Sequence, residues 1–263
     1  MRGTPIWYEL MTPDPARVAP FYRATLGWDI QGLGTETPSG HPYWMISRAD
    51  GGHAGGVILL TEKMQMSGGV AAWIPYFEVD DVEASVETAR AAGAHVWLPP
   101  MTMDVGTMAM LGDPQGATFY LMDPTPPAGQ PDAQSDVFEA NVPGHCWWNE
   151  LETTDEPGAT AFYDALFGWD TRQTMPMGEK GNYRFIAIDG EQVGAINPWM
   201  ADYMRVGWLP YFGVAGIDAA KAAAEATGGT VTHDIHQVPS GGYIFTATDP
   251  AGAPVGFVGP KGE

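Results

Sequence analysis

The chain has 263 residues, with 32 acidic against 12 basic side chains, a formal charge of −20, and 44% apolar residues. That balance argues against a nucleic-acid or anionic-membrane partner, since phosphate neutralisation needs clustered Lys and Arg, while the length fits two ordinary domains with their own cores. A lone Cys146, no signal-like run and no apolar stretch of membrane-helix length set the expectation of a protein in the reducing cytoplasm.

Residues 5–12 alternate and include Trp, Tyr and Thr, which predicts a half-buried strand. Asp14 then offers a helix N-cap, Pro15 suits the first helical position, and Val18, Phe21, Tyr22 and Thr25 share a face. Gly27 supplies the left-handed C-terminal cap, while Pro20 removes a helical hydrogen bond and predicts a kink. Strand-like runs follow near 28–33, 43–48 and 54–60, completing a β-α-β-β-β module. The pattern restarts with a strand at 73–79, caps at Asp80 and Asp81, and an Ala-rich helix from Val82 to Ala92 that Gly93 stops. Three more strands fall near 95–98, 105–111 and 117–122, and Asp113-Pro114-x-Gly116 spells a type I turn between the last two.

The chain then repeats itself. Trp7-Tyr8-Glu9-Leu10 returns as Trp148-Asn149-Glu150-Leu151, and Phe21-Tyr22 as Phe162-Tyr163. Trp73-x-Pro75-Tyr76-Phe77 returns as Trp208-x-Pro210-Tyr211-Phe212, and the Asp113 turn as Asp249-Pro250-x-Gly252. A unit this long is a duplicated domain rather than a solenoid repeat. The expected organisation is a first domain at 1–123, a Pro/Gly-rich linker at 124–144 and a second domain at 145–263.

Tandem β-α-β-β-β modules carrying a Phe-Tyr helix and a Gly-Trp-Asp exit resemble the vicinal oxygen chelate superfamily of glyoxalases, bleomycin-resistance proteins and extradiol dioxygenases. The Gly3-Thr4-Pro5 opening resembles a two-domain branch labelled glyoxalase-like or hydroxylase. The resemblance implies an α+β fold, with four modules forming two cup-shaped mixed sheets and helices on the outer face. It also implies where metal ligands would stand. Those places fall on Trp7 and Trp148, on Ile74 and Leu209, near Tyr120 and Gly256, and near Leu60 and Ile196 or Asn197. An indole nitrogen has no lone pair to give, so neither metal nor cofactor is expected.

What remains on the implied concave faces is Glu9 beside Trp7 and Glu150 beside Trp148, each pair two residues apart and so on one strand face. A carboxyl among aromatics should have a raised pKa, useful for proton transfer or for meeting a cation; organising the core is the other reading. Tyr76, Tyr120 and Tyr211 join as ligand-facing candidates, open to a packing reading as well. A Met-rich segment (Met101, Met103, Met108, Met110) suits either an adaptable lining or a core. His233 and His236 are spaced wrongly for one strand face, His41 with Tyr43 and Trp44 could lie at a pocket mouth, and Lys180 to Arg184 reads as a solvated hairpin. The expected function is metal-free binding of a small aromatic or cationic organic molecule. The alternative is a glyoxalase-like lyase, hydroxylase or dioxygenase-type enzyme using Glu9 or Glu150 as base. The expected partner is this small molecule, and dimerisation stays open.

Overall fold

The computed structural model describes residues 2–36, 40, 42–198, 205–239 and 241–262. The local signals of the first module set its elements. Pro5–Thr12 is strand β1, Pro15–Leu26 helix α1, and Asp29–Glu36, Pro42–Ser47 and His53–Leu59 are β2, β3 and β4. Asp14 caps α1 by accepting from the Arg17 amide at 3.0 Å, and Gly27 ends it at φ 69°. The helix runs unbroken through Pro20. A short helix, α2 (Glu62–Met66), follows with Thr61 as its cap.

The second module is β5 (Ala72–Glu78), α3 (Val82–Ala91), β6 (His95–Met103), β7 (Gly106–Gly112) and β8 (Thr118–Pro124). The third is β9 (Cys146–Glu152), α4 (Glu156–Phe167), β10 (Thr174–Pro176), β11 (Asn182–Ile188) and β12 (Glu191–Asn197). The fourth is β13 (Gly207–Gly213), α5 (Ile217–Ala226), β14 (Thr230–Gln237), β15 (Tyr243–Thr248) and β16 (Pro254–Gly259). The sixteen strands form two eight-stranded mixed sheets, ordered β2-β3-β4-β1-β5-β8-β7-β6 and β10-β11-β12-β9-β13-β16-β15-β14. In each module the first and last strands pair in parallel, as in Glu9 opposite Gly56 and Glu150 opposite Ala195. The fold is α+β and duplicated.

Two compact units divide the chain, and each draws segments from both halves of the repeat. One comprises Met1–Ile6, Pro75–Ser135 and Trp148–Leu209; the other comprises Trp7–Ile74, Asp136–Trp147 and Pro210–Glu263. In the first unit α3 packs on α4, and Phe77, Phe119, Tyr163, Phe167, Trp169 and Trp208 form an aromatic core. In the second α1 packs on α5, around Tyr8, Phe21, Tyr22, Trp28, Trp73 and Phe212.

A buried relay runs through each core. Trp73 Nε1 donates to the Tyr22 hydroxyl at 2.9 Å, which donates to Asp249 Oδ2 at 3.0 Å. Trp208 Nε1 donates to the Tyr163 hydroxyl at 3.2 Å, which donates to Asp113 Oδ2 at 3.2 Å. The other carboxylate oxygen of each Asp holds its own turn: Asp113 Oδ1 accepts from the Gln115 and Ala117 amides, and Asp249 Oδ1 from the Ala251 and Ala253 amides. Burial raises the pKa of both aspartates, against the lowering pull of these amides. So the Asp-Pro-x-Gly turns form as read, and each also receives a helix tyrosine from the other half of the repeat.

Residues between β8 and β9 are fixed partly by a cation. The Arg48 guanidinium, 3% exposed, bonds Asp136 and Asp50. Trp28 Nε1 donates to the Gly144 carbonyl at 3.0 Å, tying the same segment to the second unit's aromatic core.

Candidate functional site

Alternation along β1 buries Tyr8 and Leu10 in the core and leaves Trp7, Glu9 and Met11 on the opposite face. Trp7 stays partly exposed, and its Nε1 donates to the Tyr43 hydroxyl at 2.9 Å. The ring of Tyr43 crosses from β3 over β4, where Gly56 leaves it room; a Cβ there would sit 1.9 Å from the phenol oxygen. Glu9 is buried beneath, and its charge, after burial itself, pushes the Tyr43 pKa well above the ordinary phenol value.

β9 repeats the arrangement. Trp148 Nε1 donates to the Tyr183 hydroxyl at 2.9 Å, and that hydroxyl donates to Glu150 Oε2 at 2.6 Å. Here the strand face continues to Glu152, where β1 carries Met11. Asn197 stands opposite Glu152 on β12, as Ile58 stands opposite Met11 on β4. Asn197 Nδ2 donates to Glu152 Oε1 at 3.0 Å, while Glu152 Oε2 is buried with no hydrogen-bond partner. The Glu152 pKa is pushed up to about 10, first by burial, then by the charge of Glu150 and the contact between the carboxyls; Asn197 opposes this. Burial and the neighbouring Glu150 carboxyl both favour the protonated form of Glu152. Glu152 lies two residues beyond Glu150, the carboxyl named from the sequence, on the same strand face.

Tyr76 and Tyr120 face each other across the β5–β8 pair and stack at 4.0 Å. Tyr211 covers Gly256, its partner across β13–β16, where a Cβ would meet the ring at 2.4 Å. Trp7, Glu9 and Tyr211 belong to the second unit, and Tyr76, Tyr120, Trp148 and Glu150 to the first.

Two readings are corrected. The hairpin at 180–184 is tied down: Tyr183 reaches Glu150, and Arg184 bonds Glu156 and the Thr171 carbonyl. His233 and His236 do meet, with ring centroids 4.6 Å apart, because a register shift between them breaks the two-residue period. His145 has charged company, its Nε2 lying 3.8 Å from Glu139 and 3.9 Å from Asp50. His41 lies outside the described residues, while Tyr43 and Trp44 lie on β3. Met101 pairs with Met108 and Met110 with Tyr120 between β6, β7 and β8, all of them partly or wholly buried.

Trp7 and Trp148 stand at the first-strand places where the sequence resemblance implies a metal ligand, and both indoles use their N–H to donate to a phenol. The residues at these places do not fit a metal. Among the described residues no three His, Cys, Asp or Glu side chains converge as a metal site. Nor, among them, is any helix long and apolar enough to cross a membrane.

The module order, the parallel pairing of first and last strands and the duplication define a class. Family models match the chain twice: "Glyoxalase-like domain" over residues 7–122 and "Glyoxalase/Bleomycin resistance protein/Dioxygenase superfamily" over residues 150–257. The chain is 32% identical over 254 residues to "Putative glyoxylase CFP32" of Mycobacterium tuberculosis, covering 96% of this chain and 93% of that protein. It therefore belongs to the glyoxalase/bleomycin resistance/dioxygenase, or vicinal oxygen chelate, superfamily. It is also 26% identical to "Anthracycline biosynthesis protein DnrV" of Streptomyces peucetius, covering 91% of this chain and 87% of that one. Among solved structures, the Mn(II)-bound glyoxalase from Novosphingobium aromaticivorans has the same fold, with a TM-score of 0.64 at 14% identity over 100% of this chain and 84% of that one. So does the 2,3-dioxygenase LapB from Pseudomonas sp. KL28, with a TM-score of 0.63 at 14% identity, covering 100% and 94%.

Proposed function

We propose that this protein binds a small aromatic organic molecule without a metal, presenting Trp7 with Glu9 and Trp148 with Glu150 as ligand-facing groups. The observation that carries this reading is the indole–phenol–carboxylate arrangement built twice. In each half a partly exposed Trp is held by a Tyr hydroxyl at 2.9 Å, with a buried Glu beside that Tyr. Holding the indole by its nitrogen leaves its faces for stacking, and the carboxylate adds affinity for a cationic substituent. The name of the Streptomyces relative, an anthracycline biosynthesis protein, supports an aromatic ligand. Tyr76, Tyr120 and Tyr211 are assigned to the same binding role.

Equilibrium dialysis of the untagged protein against a panel of cationic and neutral fused-ring compounds tests this. Binding with dissociation constants below about 1 mM, weakened by Trp7→Ala and Trp148→Ala, is the expected result. Retention of nothing across the panel would overturn it.

One observation favours a second reading, an enzyme of the lyase or hydroxylase kind. Glu150 and Glu152, whose pKa burial raises, place two carboxyls side by side, with Tyr183 donating to Glu150, an arrangement suited to proton transfer. On this reading Glu150→Gln abolishes turnover of any substrate found while leaving its binding measurable.

A further inference from the structure

The histidine pair on β14 is a second chemical feature, and none of its residues belongs to the Trp–Glu arrangements. The strand leaves regular register twice, between Val231 and His233 and between His233 and His236. A regular strand sends residues three apart to opposite faces. The register shifts re-aim these two, and their rings meet edge to face with centroids 4.6 Å apart. β14 is the edge strand of its sheet, His233 is half-buried and His236 is exposed.

The first half of the repeat supplies a control within the chain. There β6 breaks register at matching places, between Val96 and Leu98 and between Leu98 and Met101. Leu98 stands opposite Met110 and Met101 opposite Met108, as His233 stands opposite Thr246 and His236 opposite Ile244. The irregular register is therefore part of the duplicated frame and does not depend on the imidazoles. What is particular to the second half is that two nitrogen donors replace two apolar side chains on that frame.

The donor chemistry selects the ligand. His236 Nδ1 lies 3.1 Å from the Asp234 carbonyl oxygen. In the neutral ring that contact requires the proton on Nδ1, which donates to the carbonyl and leaves the lone pair on Nε2. A backbone carbonyl in this role is a usual partner of a metal-bound imidazole. Imidazole nitrogen suits zinc, nickel and copper better than calcium or magnesium, and the chain's charge of −20 favours a cation. Lys221 of α5 is held by Asp234 at 2.7 Å and by Glu225 at 3.9 Å, so the Asp234 carboxylate is committed to that pair. We propose that His233 and His236 together bind a divalent transition-metal ion of the zinc, nickel or copper kind, with solvent filling the other coordination positions.

Isothermal titration calorimetry of the untagged full chain with zinc chloride, in a buffer that does not bind metals, tests the site. Copper chloride and calcium chloride are titrated alongside. Close to one zinc ion per chain should bind with a dissociation constant of about 10 μM or below, copper more tightly and calcium not at all. His233→Gln and His236→Gln should each weaken zinc binding at least about tenfold, with circular dichroism confirming that both variants fold. His95→Gln, at an exposed histidine on β6, should leave it unchanged. No zinc binding below about 1 mM would overturn the site. So would binding that survives both substitutions, since the ion would then sit on other residues. Binding of an aromatic ligand is unaffected by either result.

Discussion

The two halves build one contact on different floors. In the first, Trp7, Tyr43 and Glu9 stand over Met11 and Ile58; in the second, Trp148, Tyr183 and Glu150 stand over Glu152 and Asn197. The shared part is positional: an alternating first strand, a tyrosine reaching over the intervening strand from β3 or β11, and an indole N–H to hold it. The difference is electrostatic. Replacing a thioether with a buried carboxyl beside an existing carboxylate forces one of them to keep its proton, since two adjacent charges in a dry site repel strongly. Duplication kept the frame and changed the side chains beside it.

The comparison breaks most visibly if the shared frame is removed. Asp113→Ala and Asp249→Ala each delete an acceptor for two turn amides and a buried Tyr hydroxyl. Each should cost about 3 kcal/mol in urea unfolding, and by similar amounts, because the two relays match. A large loss at one site with none at the other would mean that the halves are not held alike.

A smaller effect sharpens the contrast between floors. The folded-state pKa of Glu152, about 10, lies above the ordinary carboxyl value. The native state then binds more protons than the unfolded one between those values, so stability falls as pH rises through the window, by up to about 1.4 kcal/mol per pH unit. Glu152→Gln should flatten that slope between pH 6 and 9 and raise the melting temperature most at the alkaline end. A slope unchanged by Glu152→Gln would place the proton elsewhere.

Local chemistry made much of this legible in the sequence. Asp14 and Gly27 announce α1 because capping depends on neighbours alone, and Trp7 and Glu9 share a face because a strand has period two. The Asp113 and Asp249 turns were readable for the same reason. Their tyrosine partners were not, since Tyr22 and Asp249 stand 227 residues apart and only packing joins them. Tyr43 and Tyr183 carried a signal, standing 36 and 35 residues after their tryptophans, but their direction depends on strand register. The five-residue α2 was too short to show periodicity. The His233–His236 contact was hidden by an irregular register that no spacing rule contains. Glu152 escaped for a different reason: a search for repeats collects what the halves share, and Glu152 is where they differ.

The most direct test is a carbon-13 titration of the glutamate carboxyls by NMR, comparing wild type with Glu152→Gln. One carboxyl resonance should stay in its protonated position past neutral pH and shift only at alkaline pH, near the value of about 10 that burial beside Glu150 imposes, and it should vanish in the variant. If every glutamate resonance has completed its shift in the ordinary acidic range, Glu152 is ionised at neutral pH and the difference drawn here between the two halves fails.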